Sequence, residues 1–208
     1  MHSPFVYVFV AGILIEEIIR APRRYRNWLN QRTGMIAEHR VGALEQVLMR
    51  LNLFGTTLAP ILYAFTNWFG FGAYALPAWT GVIGVLCLAV AIWLLVRAHA
   101  DLGRNWSPTL EIVKEHRLVT EGIYGTIRHP IYAAVWLTVI AQALMIDNWF
   151  VGFAGIAVFL PVYLTRIPAE ERMMIDRFGD AYRAYMERTG GIVPRWRRRG
   201  AARKASDH

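Results

Sequence analysis

The sequence predicts an all-α integral membrane protein with about five transmembrane helices and a cytoplasmic amphipathic helix near the C-terminus. Three observations carry this. Apolar residues make up 55% of the 208-residue chain and charged residues 18%, with a mean hydropathy of +0.30; a soluble domain carries more charge. The apolar residues fall into five segments. The basic residues gather between those segments on one side.

The segments are Phe5–Ile19, Gly42–Phe69, Ala78–Val96, Pro130–Ile146 and Phe150–Thr165. A helix crossing a bilayer needs roughly 17–25 mostly apolar residues, so the first, fourth and fifth are near the lower limit. Short spans imply little tilt or local thinning. Eight Trp and nine Tyr suit the membrane interface. Arg20, Arg23, Arg24, Arg26, Arg32 and Arg40 follow the first segment, and Arg97, Arg104, Lys114, Arg117 and Arg128 lie between the third and fourth. The chain after Arg166 is also basic, whereas the turns around Gly70–Pro77 and Asp147–Trp149 hold no Lys or Arg. The positive-inside rule puts the N-terminus outside and the C-terminus in the cytoplasm. The net charge of +8 is thereby read as a topology signal and not as a nucleic-acid footprint. The start Met1-His2-Ser3-Pro4 lacks a basic n-region, so no cleavable signal peptide is expected. The single Cys87 excludes an intrachain disulfide and reads as a buried inert thiol.

Past the fifth segment the pattern changes. Ile175, Phe178, Tyr182 and Tyr185 recur at spacings of three and four among charged residues, the signature of an amphipathic surface helix over 168–188. Pro168 is expected to separate that helix from the span, and Gly190-Gly191 to end it. The run Arg195-Trp196-Arg197-Arg198-Arg199 reads as an anchor for anionic membrane lipids. The chain is thus read as one membrane domain: N-terminal helices over 1–97, a second region over 98–194 and a basic tail over 195–208.

The chemistry concentrates at the fourth segment's start. In Arg128-His129-Pro130, proline suits the first helical position and holds His129 extended. Arg128 and His129 then sit at a helix N-terminus, whose free N–H groups attract anions. Arg128 adds a fork for a carboxylate or phosphate, and Tyr132 shares the side of His129. Taken alone, Arg128 reads as a snorkelling side chain. Glu170 lies four residues after Arg166, in pairing range if the helix runs through Pro168; Glu170-Glu171 could hold ribose hydroxyls or an ammonium. Singly, this too reads as an ordinary ion pair. Glu16 and Glu17 are expected beside Arg20, and Glu45 and Arg50 to face the bundle interior and pair. The six His lack the spacing of helical metal ligands, so no metal site is expected.

Four motifs occur in order: Leu118-Val119-Thr120-x-Gly122-x-Tyr124, Arg128-His129-Pro130-x-Tyr132, Arg166-x-x-x-Glu170-Glu171 and Phe178-Gly179-x-x-Tyr182. Together they resemble the isoprenylcysteine carboxyl methyltransferase family, with a similar region in phospholipid N-methyltransferases; the likeness covers about Leu102–Pro194. It implies methyl transfer from S-adenosylmethionine at the cytoplasmic face. His116, Leu118, Val119, Tyr124, His129, Tyr132 and Glu170 would line the cofactor pocket. Arg166 would face the acceptor, and Arg128 and Arg166 are the candidate catalytic residues. Ala134 stands where the family commonly has Gly. The implied acceptor is a lipophilic, isoprenylcysteine-like carboxylate. An amine or phospholipid acceptor is the alternative within methyl transfer. Sterol-type reductases using NADPH carry a variant, Arg-His-x-Asn-Tyr, from which this chain departs at Pro130 and Ile131.

Overall fold

The computed structural model describes residues 2–32, 36–39, 42–103, 111–113 and 118–195. Among these the helices are α1 (Pro4–Arg32), α2 (Ala43–Leu53), α3 (Ala59–Phe65), α4 (Ala78–Leu102), α5 (Pro130–Met145), α6 (Trp149–Phe178) and α7 (Asp180–Arg188). A π-helical turn, Phe54–Leu58, joins α2 to α3 in one rod, Ala43–Phe65. That rod, α4 and α6 are long and apolar enough to cross a membrane, while α5 is apolar but only 16 residues long. α1 is 29 residues long and carries Glu16, Glu17 and Arg20 within it.

Small residues let the helices approach. The face of α4 turned to its neighbours is Gly81, Gly84, Leu88, Ala91, Leu95 and Ala98, spaced by three and four. It meets Ala133, Ala134 and Ala141 of α5, the kind of close backbone packing that holds helices together where water supplies no driving force. Ala134 is fully buried, so a methyl group fits where the family commonly has none. The opposite faces present Leu86, Trp93 and Leu164, each more than half exposed, as a lipid-facing surface does. The turn between α5 and α6 is pinned by Asn148. Its side chain accepts from the N–H of Phe150 and Val151, capping α6, and donates to the carbonyls of Phe69 and Phe71.

The structure departs from the sequence reading in four places. α1 runs to Arg32, well past Ile19, because helix-forming polar residues continue it. A short antiparallel ribbon pairs Ile36–His39 with Glu111–Val113, an addition to an otherwise helical chain. Cys87 is half-buried. Pro168 does not separate the fifth span from a surface helix: α6 is continuous from Trp149 to Phe178, through Pro161 and Pro168. A lost backbone bond is tolerated when side chains and neighbouring helices hold the segment; here the Thr165 hydroxyl donates to Pro161 O at 2.8 Å, and Arg166 and Glu170 tie the next turn across the bundle. The break comes instead at Gly179, whose φ of +56° suits a residue without a side chain. The amphipathic segment is therefore divided between the end of α6 and α7, and α7 ends at Arg188, ahead of Gly190.

Candidate active site

A cavity of about 460 Å³ opens between α1, α2, α5, α6 and α7, within the usual size of a small-molecule site, about 300–1,000 Å³. Leu118, Val119, Tyr124, Arg128, His129, Tyr132, Arg166 and Glu170 all line it. Residues up to 52 positions apart in sequence thus converge on one space. His116 lies outside the described residues.

The N-terminal mouth of α5 is built first by the chain's own backbone. Arg128 N–H donates to Gly190 O at 2.8 Å and His129 N–H to Gly191 O at 3.0 Å, so the segment after α7 lies beside the residues that enter α5. Pro130 then occupies the first turn, where no N–H is needed. Upstream, Asp101 of α4 accepts from Ile123 N–H at 2.7 Å and fixes the turn Gly122–Gly125. Gly122 has φ of +59°, and a side chain there would strike the Asp101 carboxylate.

The guanidinium of Arg128 is turned onto protein. It donates from Nε and Nη2 to Glu171 Oε1 at 3.1 and 3.0 Å, and from Nη1 to the carbonyls of Met186 and Thr189 at 3.1 and 2.6 Å. The anion fork expected at this position is spent on joining α5, α6 and α7. Glu171 also meets His129 Nε2 at 3.1 Å, so Glu171, bracketed by Arg128 and His129, orients the buried imidazole.

Deeper lies the second cluster. Tyr132 Oη donates to Glu170 Oε1, which also receives Arg166 Nη2 at 3.3 Å. The pairing conditional on an unbroken helix through Pro168 is therefore made. Glu170 Oε2 stands 3.8 Å from His129 Nδ1, too far for a hydrogen bond, and keeps capacity to accept one. Arg166 is buried, with Nη1 3.6 Å from Glu45 Oε1 and 3.3 Å from Met49 Sδ of α2. His129 and Tyr132 meet edge to face at 5.8 Å.

Tyr185 Oη donates to Tyr124 O at 2.6 Å and ties α7 to the loop. Burial pushes the Tyr185 phenol up to about 12 against the nearby Arg128 cation. Burial likewise holds Tyr124 and Tyr182 well above the usual phenol range.

Residues 82–176, which run from within α4 into the last turn of α6 and include Arg128, His129, Tyr132, Arg166, Glu170 and Glu171, match the model of the isoprenylcysteine carboxyl methyltransferase family. The match takes in a little under half of the chain. The chain is 28% identical over 117 residues to a protein-S-isoprenylcysteine O-methyltransferase of Schizosaccharomyces pombe, covering 55% of this chain and 49% of that protein. It is 30% identical over 118 residues to a form B enzyme of the same name from Arabidopsis thaliana, covering 56% and 60%. The cobalt-zinc-cadmium resistance protein CzcN of Cupriavidus metallidurans is 26% identical over 163 residues, covering 78% and 67%. The chain thus spans about half to three-fifths of the two isoprenylcysteine methyltransferases it matches. Its three long apolar helices, together with this likeness, mark the chain as an integral membrane protein.

Sequence reasoning did not assign Met49 or Tyr185 to the cavity, nor Glu45 as the partner of Arg166. Glu45 carried a signal, being an ionisable residue in an apolar helix. Met49 carried none.

Proposed function

We infer that this chain is an S-adenosylmethionine-dependent membrane methyltransferase acting on the carboxylate of a lipophilic, isoprenylcysteine-like acceptor. The observation that carries this is the convergence of Tyr132, Glu170 and Arg166 on one cavity within the family-matched region. The cofactor fits the residue chemistry. Glu170 Oε2 retains room to accept from an ammonium or ribose hydroxyl. His129, Tyr132 and Tyr124 offer aromatic faces to a cation, and Leu118 and Val119 an apolar wall. His116 belongs to this proposed set. When bound, S-adenosylmethionine supplies an electrophilic methyl group.

The residues have little proton chemistry to perform. A chain-terminal carboxylate has a reference pKa of about 3.5 and is ionised at neutral pH, so no general base is needed. Arg166 orients that carboxylate through charge-assisted hydrogen bonds, and its burial keeps water away. Alignment of reactants can supply roughly 7–11 kcal/mol of barrier lowering. Arg128 acts at one remove, holding Glu171, which holds His129.

The site faces the cytoplasm in a five-span arrangement, with α1 and α5 as the spans beyond the three long apolar ones; the distribution of Arg and Lys supports this orientation. The test is calorimetric titration of detergent-solubilised protein with S-adenosylhomocysteine and NADPH, followed by a methyl-transfer assay on an S-prenyl cysteine acid. Binding of S-adenosylhomocysteine and turnover of the acid are expected. Binding of NADPH alone would sink the reading.

A further inference from the structure

The cavity has a second polar end that the motifs do not reach. On α5, Thr138 lies six residues beyond Tyr132, about 9 Å deeper along the helix at 1.5 Å per residue. On the rod Ala43–Phe65, Asn52 and Thr56 lie three and seven residues beyond Met49, the neighbour of Arg166, or about 4.5 and 10 Å deeper. From α1, Glu16 reaches the same level. All four residues line the cavity. Glu16 is 2% exposed and accepts from Thr138 Oγ1 at 2.6 Å and from Arg20 Nη2 at 2.9 Å. Polar groups inside apolar helices are costly and mark function. The π turn at Phe54–Leu58 falls beside them, a distortion frequent at functional sites.

Several donors at this end are already engaged. Thr56 donates its hydroxyl hydrogen to Asn52 O at 2.7 Å. Thr138 shares its own between Glu16 Oε1 and Ala134 O at 3.1 Å. Arg20 is engaged by Glu16 and Glu17. Asn52 Oδ1 is buried and has no hydrogen-bond partner among the described residues. Beyond its internal bonds this end offers chiefly acceptor capacity, from the lone pairs of Thr56 and Thr138 and the unpartnered Asn52 carbonyl oxygen, while the Asn52 amide and the Thr57 hydroxyl can also donate. Four of the five residues, Glu16, Arg20, Asn52 and Thr56, lie outside the family-matched region.

We propose that Asn52, Thr56 and Thr138, braced by Glu16 and Arg20, form an acceptor-recognition subsite for a hydrogen-bond donor, a hydroxyl or amide N–H. That donor lies roughly 5–10 Å from the methylated group, one to two helical turns deeper. An acceptor carrying such a donor is then favoured over one that is plain hydrocarbon beyond its reacting end. This deepens the methyltransferase reading and rests on it for the word acceptor, but the binding preference does not.

Two amphiphilic carboxylates of equal length serve as probes, one with a hydroxyl five to eight bonds from the carboxylate and one with a methylene there. Their affinities for the solubilised full chain are measured by competition, alongside S-adenosylhomocysteine affinity and methyl transfer. The hydroxylated probe is expected to bind the parent at least tenfold more tightly. Asn52→Leu and Thr138→Val are expected to narrow that ratio to about twofold with S-adenosylhomocysteine affinity unchanged. Equal affinity of the parent for both probes overturns the subsite, whether or not the variants fold. A loss of S-adenosylhomocysteine affinity in Asn52→Leu also overturns it, by assigning Asn52 to the cofactor. A preserved preference with no methyl transfer upholds the subsite and sinks the enzyme reading alone.

Discussion

Glu170 on α6 receives both the phenol of Tyr132 from α5 and, at 3.3 Å, the guanidinium of Arg166 from its own helix. One carboxylate thus couples the proposed cofactor pocket to the residue proposed to hold the acceptor. Glu170→Ala is expected to lower S-adenosylhomocysteine affinity at least thirtyfold, since hydrogen bonds to charged groups are worth about 1.5–3 kcal/mol each. Tyr132→Phe, which keeps the ring, is expected to cost less than tenfold. Calorimetry checks both, and parent-like affinity in Glu170→Ala removes it from the pocket.

Arg166 is predicted to act on the acceptor. Arg166→Lys retains a cation but not a planar fork. It is expected to raise the acceptor KM and lower kcat while S-adenosylhomocysteine affinity changes less than threefold. Initial rates with varied acceptor, set beside cofactor titrations, separate the effects. An equal loss in both would show that Arg166 serves the pocket as a whole.

Arg128 and Glu171 are predicted to be a structural couple. Removing one partner of a buried pair costs about 3–5 kcal/mol; with both side chains slightly exposed, at 13% and 19%, the lower end applies. Arg128→Ala and Glu171→Ala should each reduce thermal stability in detergent, and the double variant should cost less than the sum. Additive effects would mean that the two do not act together.

Alkaline pH should loosen the α7 clasp. Tyr185 titrates at about 12 in the folded protein, against about 10 for a free phenol. The unfolded chain therefore loses that proton first as pH rises. The stabilisation is fully present below about pH 10 and is lost as pH climbs toward 12, with Tyr124 and Tyr182 acting in the same sense. Each tyrosine contributes a slope of up to about 1.4 kcal/mol per pH unit. Unfolding midpoints between pH 8 and 11.5 should fall above pH 10, and less steeply in Tyr185→Phe. A flat profile would contradict the burial of these phenols.

Much of the site was legible because its residues follow local rules. Pro130 marks a helix start by lacking an N–H, and Arg166 and Glu170 stand one turn apart whatever surrounds them. The use made of Arg128 was not legible. Its partners are Glu171 and two carbonyls at positions 186 and 189, and no spacing rule links residue 128 to those. Pro168 misled for the opposite reason: its local rule is sound, but bonds across the bundle outweigh it. Glu16 shows the middle case. Its neighbour Arg20 could be read from helical spacing, and Thr138, 122 residues away, could not.

The pairing of Arg128 and His129 with Gly190 and Gly191 bears on biosynthesis. A ribosome that has delivered residues 1–178 has made every apolar helix, yet α5 still lacks the strap over its entrance. The wall supplied by Tyr182 and Tyr185 and the strap at Gly190 and Gly191 are therefore made after every apolar helix, and the cavity is complete only once they have been added.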